Sequence, residues 1–374
     1  MTELHGRTFS CIDGCALCCL CQPELLSHER RVFQGDPKLS AGVASTHMSP
    51  DVNGAALRLV GGHGACYFLD GRRCGVYEHR PHFCRSFPLN VFVGWRVQLN
   101  VNMSCRGLGR PGERLVRLGE MLLSEYGEVQ LGHELSSAND SFTRFESNAR
   151  EERVAQSFSS VRHTAEMLKD ELTDGIGLSR VMTHAEYGQA NQDSPPADIA
   201  RLVRETEAEA DISERALMDG VELFDLPNLS LLPIYVGPDL SWKIFRLEGS
   251  SIVARSIDDS GEALEFCRID PASVNLLPMT ASGRRSLQGY LATLNARDCL
   301  LGHAAYLCDI EGYEFNFGQV YLGTLANSVI DLWWRASLLA QLAGVEQLGQ
   351  EEIKEGIVFF DMDILDLPTI GSFI

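Results

Sequence analysis

"CIDGCALCCLC", residues 11–21, puts five cysteines into eleven positions of a chain that spends only seven more on its remaining length. With 374 residues, 45% of them hydrophobic, the chain can bury an ordinary core and is expected to form two domains. Its thiols are therefore not needed as staples. The opening "MTELHGRTFSC" has no apolar run of signal-peptide length. The longest apolar stretch, "LANSVIDLWWRASLLAQLAG" at 325–344, is interrupted by Asp331 and Arg335, so no membrane span is expected. The expected location is cytoplasmic. In that reducing compartment a dense cysteine array binds metal or does redox chemistry more often than it forms disulfides.

Thirty-two Lys and Arg stand against 51 Asp and Glu, a formal net charge of −19, and no run of basic residues concentrates positive potential. This charge balance disfavours nucleic acid as a main partner and leaves a protein partner or protein substrate open.

Nine of the twelve cysteines precede residue 106: Cys11, Cys15, Cys18, Cys19, Cys21, Cys66, Cys74, Cys84 and Cys105. All nine are candidate metal ligands. Cys267, Cys299 and Cys308 lie in apolar surroundings and read as core, since free cysteine behaves as a small hydrophobe. The spacings Cys11-x3-Cys15-x2-Cys18 and Cys15-x2-Cys18-x2-Cys21 let one short loop present several thiolates to an iron–sulfur cluster. A tetrahedral zinc needs only four ligands, usually in two separated pairs. The count allows two clusters with one cysteine left over, one cluster plus a zinc, or one site with spare thiols. Adjacent Cys18 and Cys19 point in different directions and so suit two sites better than one.

Farther along, "CYFLDGRRCGVYEHRPHFCRSFPL", residues 66–89, reads as a hairpin followed by a tight turn. A three-residue loop Leu69-Asp70-Gly71, with Gly71 left-handed, would set Cys66 directly opposite Cys74. A two-residue Asp70-Gly71 loop would put them on opposite faces. Pro81 suits the first turn of a short helix carrying Cys84 and Arg85. Arg80 and Arg85 are placed to offset thiolate charge. His79 and His82 could each replace a thiolate as ligand.

Residues Cys66, Phe68, Leu69, Cys74, Tyr77, Glu78, Arg80, Pro81, Cys84, Arg85, Phe87 and Pro88, with the front cysteine group, resemble the YkgJ family of cysteine-cluster proteins, also described as a zinc- or iron-chelating CxxCxxCC domain. The resemblance covers roughly residues 9–110. It departs at the front, where three residues rather than two separate Cys11 from Cys15 and Cys21 is additional. The resemblance implies metal chelation, with iron–sulfur the more usual supposition. It also raises an enzymatic alternative, because flagellin lysine N-methylases resemble this family and are implicated in S-adenosylmethionine-dependent methyl transfer to protein lysine.

Two rival motifs are weaker. Cys11-x3-Cys15-x2-Cys18 fits the triad of radical S-adenosylmethionine enzymes, yet position 17 is Leu17 rather than aromatic and "GGHG" at 61–64 lacks an acidic residue. "GLGRPG", with Gly107, Gly109 and Gly112, satisfies a dinucleotide pattern between a strand in "WRVQLNVNM" and a helix starting near Glu113. Pro111 removes one amide from it, and a glycine-rich loop closing the metal site is the better reading.

Beyond residue 112 two helices are expected, in "GERLVRLGEMLLSEYG" and in "SFTRFESNAREERVAQSFSSVRHTAEMLKDELTDG", with Gly175 as a stop. A linker at 186–198 and one helix through "IARLVRETEAEADISERALMDG" follow. "LPIYVG", "SWKIFRLEG", "SIVARSIDD" and "ALEFCRID" read as a four-stranded meander. Helices are expected near 283–297 and 325–343, and "FFDMDILD" reads as a strand end whose Asp361, Asp363 and Asp366 point outward. The fold class is α+β: a small cysteine-rich domain (1–112), a helical extension (113–185), a linker (186–198) and an α+β domain with an antiparallel sheet (199–374). The expected function is metal binding, with one or two [4Fe–4S] clusters and zinc as the alternative, in a structural or electron-transfer role.

Overall fold

The computed structural model describes residues 2–45, 55–62, 64–188, 193–225 and 233–365. Strand β1 (Thr8–Phe9), just before Cys11, pairs antiparallel with β8 (Glu113–Arg114), and this pairing closes the ends of the cysteine-rich stretch. The glycines of "GLGRPG" make the closure possible. A Cβ on Gly107 would stand 2.4 Å from the Ser10 carbonyl oxygen and one on Gly112 would stand 2.3 Å from that of Phe9. Backbone packing occupies these glycines.

Between β1 and β8 lie α1 (Ser27–Gly35), α2 (Pro37–Ser40), and the pair β2 (Val43–Ser45) and β3 (Ala55–Leu57). The hairpin β4 (Leu69–Asp70) and β5 (Arg73–Cys74), α3 (His82–Ser86), and the hairpin β6 (Leu89–Val93) and β7 (Val97–Val101) follow. Pro81 caps α3, in line with its fixed backbone.

The middle of the chain has more helices than its periodicity predicts. After α4 (Leu115–Tyr126), α5 (Glu128–Glu151) is followed two residues on by left-handed Arg153, whose φ is +61°, and α6 (Phe158–Met167) restarts under a Ser157 cap that accepts from Ser160 N over 3.2 Å. Gly175 does not stop a helix. It opens α7 (Gly175–Tyr187), where Asp174 accepts from Gly177 N over 3.2 Å. The single helix expected after the linker is two, α8 (Pro196–Glu205) and α9 (Ile212–Phe224), because Asp211 accepts from Ser213 N and Glu214 N and starts a new one.

The meander is present as expected. Strands β9 (Ile234–Val236), β10 (Trp242–Glu248), β11 (Ser251–Ile257) and β12 (Ala263–Ile269) form one antiparallel sheet in the order β12-β11-β10-β9. Strand alternation gives it two apolar faces. Val236, Trp242, Ile244 and Ile257 pack with Cys15, Leu17 and Leu20 of the front cysteine loop. Tyr235, Phe245, Ile252 and Ala254 join the main helical core, which includes Phe224, Trp334 and Phe359. The sheet is thus a middle layer between the cysteines and the helices.

That helical layer is completed by α10 (Ala281–Ala296), α11 (Asp298–Ile310), α12 (Phe317–Leu342) and α13 (Gln350–Ile364). Among the described residues no helix is long and apolar enough to cross a membrane. The expected strand end at "FFDMDILD" is instead the last turns of α13, and Asp361 is fully buried rather than outward. It accepts from Arg297 Nη1 (2.6 Å), from Met103 N (2.5 Å) and from the Tyr290 hydroxyl. Asp363 accepts from Arg335 at 2.5 Å, whereas Asp366 lies outside the described residues. Cys299 and Cys308 are core, 1% exposed each; Cys267, on edge strand β12, is only half-buried.

Candidate metal centre

The front loop winds tightly because Gly14 (φ +78°) and Ala16 (φ +45°) are both left-handed, and a single 3-10 turn spans Leu17–Cys19. Cys15 N donates to Ile12 O (3.1 Å) and Cys19 N to Ala16 O (2.8 Å). Winding buries Leu17 and Leu20 against the meander and leaves Cys11 exposed. Two backbone bonds then bring distant cysteines to this loop. Ser10 N donates to Gly107 O (3.1 Å), setting Cys11 beside the Cys105 turn, and Cys66 N donates to Cys19 O (2.6 Å).

The hairpin register differs from expectation. Leu69 pairs with Cys74 and Asp70 with Arg73, so the turn is Gly71–Arg72, with φ of +51° and +60°. Cys66 therefore precedes the ladder and bridges Leu59 instead of facing Cys74. Arg72, a residue type that rarely adopts left-handed backbone, hid this turn in the sequence. On the next segment, buried Glu29 fixes α3 and with it Cys84. One carboxylate oxygen accepts from His82 N (2.6 Å) and the other from Leu26 N (3.1 Å), joining the starts of α1 and α3.

Electrostatics mark the thiols as one array. Burial raises Cys11, Cys15, Cys74 and Cys84 above the ordinary thiol value, pushes Cys66 up to about 11 and pushes Cys105 up to about 12. A hydrogen bond shared between the side chains of Cys18 and Cys19 lowers Cys18 and raises Cys19. Cys105 feels Cys15, Cys11 and Cys18, whereas Cys84 feels Cys18, Cys66, Cys74 and, least of these, Cys21. Positive charge leans on the array from Arg80, which acts on Cys11, Cys18 and Cys74, and from Arg106 and Arg72, which act on Cys15.

Eight of the nine predicted ligands thus gather around Cys18. Cys21 also turns elsewhere: its thiol donates to Met362 Sδ on α13 at 3.3 Å. His82 lies at α4, 4.0 Å from a Glu125 oxygen and edge-on to Tyr126, and His79 is exposed. Among the described residues no disulfide is formed, and no group of three or more His, Cys, Asp or Glu already stands at metal-ligating spacing. The donor set nonetheless fits a thiolate-bound metal: desolvated thiols that resist ionisation alone, with guanidinium groups beside them, are stabilised as thiolates by a bound cation. Arg72, Arg106, Glu29 and Trp242 are supporting residues that the sequence reading did not single out. Arg106, next to Cys105, offered a signal through its position; the others offered none.

A shallow surface cavity of about 540 Å³ opens beside the array, lined by Asp13, Gly14, Asp70, Gly71, Arg72, Arg73 and Asp259.

The N-terminal region of this α+β chain thus collects its cysteines around one loop. Residues 10–105 match the CxxCxxCC family, described as "Putative zinc- or iron-chelating domain", so this stretch is a cysteine-cluster domain of that family. The match ends at Cys105, the last cysteine of the array. No curated protein and no solved structure matches the chain.

Proposed function

We propose that the array holds iron–sulfur clusters, two of the [4Fe–4S] type, in a structural or electron-transfer role toward a protein partner in a reducing, cytoplasmic compartment. What supports the reading is the gathering of eight thiols around Cys18, enough for two sets of four, which we assign with the adjacent pair Cys18 and Cys19 divided between them. We assign Cys11, Cys15, Cys18 and Cys105 to one set, in line with the Ser10–Gly107 bond that sets Cys11 beside the Cys105 turn. We assign Cys19, Cys66, Cys74 and Cys84 to the other, in line with the Cys66–Cys19 backbone bond. Cys21, held to Met362, is the ninth and spare thiol. Four thiolates are what one such cluster takes. The metal-binding unit is residues 1–112, and the helical extension, the linker at 186–198 and the unit 199–374 carry no ligand in this reading. The S-adenosylmethionine alternative draws no support from "GLGRPG", whose Gly107 and Gly112 are filled by backbone.

Anaerobic purification with metal and sulfide analysis tests the reading. The expected protein is brown and carries iron and acid-labile sulfide in near-equal amounts. Fully loaded protein that is colourless and contains zinc alone would replace the clusters with structural zinc.

A further inference from the structure

Arg72 occupies a backbone position that its residue type disfavours. Both central residues of the Gly71–Arg72 turn are left-handed, the geometry that selects Gly, Asn or Asp. The turn itself has no use for an arginine. Its guanidinium, however, donates from Nη1 to Gly14 O (3.1 Å) and Leu240 O (2.8 Å) and from Nε to Asp259 (2.5 Å). It also lies over the Trp242 ring, 4.1 Å from the centroid. Gly14 precedes Cys15 in the front loop, Leu240 belongs to the turn between β9 and β10, and Asp259 to the turn between β11 and β12. Trp242 in turn donates to Cys15 O over 2.7 Å. One side chain, 24% exposed, therefore joins the hairpin that ends in Cys74, the loop that carries Cys15, and the meander.

We propose that Arg72 is the positioning residue that couples metal binding in the cysteine array to the β-meander. The proposal rests on the metal-chelating reading of the array and adds to it a named path. Cys15 and Cys74 are assigned above to different sets of four, and Arg72 spans the segments that present both. Metal in either set stiffens the loop or the hairpin, and the fork of hydrogen bonds passes that order to β9–β12. Coupling of this kind is reciprocal, so the meander also slows metal loss. Strain at a left-handed arginine persists because these contacts over-determine it.

The test uses the full chain and two substitutions. Arg72→Asn puts a residue at home in left-handed backbone at the turn, so the hairpin is relieved while the clamp is lost. Arg72→Lys keeps the charge but not the planar fork. Hydrogen exchange with and without bound zinc, added as the metal alone, is followed in 66–84 and in 234–269, with α12 as the internal check of folding. In the natural chain zinc should slow exchange in both segments. In Arg72→Asn the zinc effect should survive in 66–84 and vanish in 234–269, and a competing chelator should strip the metal about 10–100-fold faster. Arg72→Lys should restore part of both effects, and it carries the test if the Asn variant loses protection in α12. Equal zinc-dependent protection of 234–269 with and without Arg72 would overturn the coupling and leave metal binding intact. A natural chain that takes up neither zinc nor iron would overturn the metal reading and the coupling together.

Discussion

Trp242 donates its indole N–H to the carbonyl oxygen of Cys15 across 2.7 Å, with the ring wholly buried. The bond joins the loop richest in thiols to a strand 227 residues away. Buried carbonyls are costly to leave unpaired, so the loop's position is set by the sheet beneath it as well as by its own turns.

Trp242→Phe keeps the apolar ring under Arg72 and removes the donor. Leaving the Cys15 carbonyl unpartnered should cost about 1–3 kcal/mol in denaturant unfolding. Metal should also leave the array faster. An unchanged unfolding midpoint would mean that water replaces the indole at no cost.

How far the sequence could be read depended on where glycine marks the turns. The four strands of the meander were legible because Gly, Asp and Ser separate them, and helix α12 because its apolar run ends at Gly344, whose φ is +72°. The hairpin register and the break between α5 and α6 were not, because arginines, Arg72 and Arg153, take the left-handed positions there. The crowding of cysteines before residue 106 pointed to the array. The aspartates of α13 were misplaced because a carboxylate normally means surface, and nothing local announces that Arg297, 64 residues earlier, meets Asp361.

That buried pair yields the second prediction. Arg297 bonds Asp361, Glu3 and the Val101 carbonyl, while Asp361 also takes Met103 N, so one ion pair ties the N-terminus, β7, α10 and α13 together. Asp361→Ala leaves a guanidinium 1% exposed without its main counter-charge. The loss should be about 3–5 kcal/mol. Paired replacement of Arg297 and Asp361 by apolar residues should recover much of it, and a double-mutant cycle measures how much.

Asp219 gives a pH-dependent outcome. Burial pushes its carboxyl up to about 6, Arg215 opposes the rise, and Asp331 and Glu222 add to it. A carboxyl raised in the folded state contributes stability that is complete below its unfolded value and is lost as pH climbs through the folded value. Asp219→Asn should therefore stabilise the protein at pH 7, by on the order of 1 kcal/mol after allowing for solvent screening, and do nothing near pH 3.5. A gain of equal size at both pH values would assign it to packing instead of charge.

Three late cysteines separate packing from ligation. Cys299 and Cys308 are buried in the helical core and Cys267 is half-buried on β12, far in sequence from the array. Replacing all three by Ala should leave metal content unchanged and lower stability through the cavities at Cys299 and Cys308. Folded triple mutant that has lost metal would place a ligand outside residues 10–105.

The sharpest contrast is between two cysteines of the array itself. Cys74 sits on β5 under the Gly71–Arg72 turn, among thiols that respond to one another, and burial already raises it above the ordinary thiol value. Cys21 points to Met362. If metal binding completes the folding of the cysteine domain, Cys74→Ser should both lower metal content and open the first hundred or so residues to limited proteolysis, since ligand loss is then loss of folding free energy. Cys21→Ser should do neither, beyond a small change where α13 meets the front loop. Cys21→Ser protein that loses half its iron would move Cys21 into a coordination set and displace one of the eight thiols assigned above; Cys74→Ser protein with full metal and unaltered protease resistance would return the hairpin to ordinary packing.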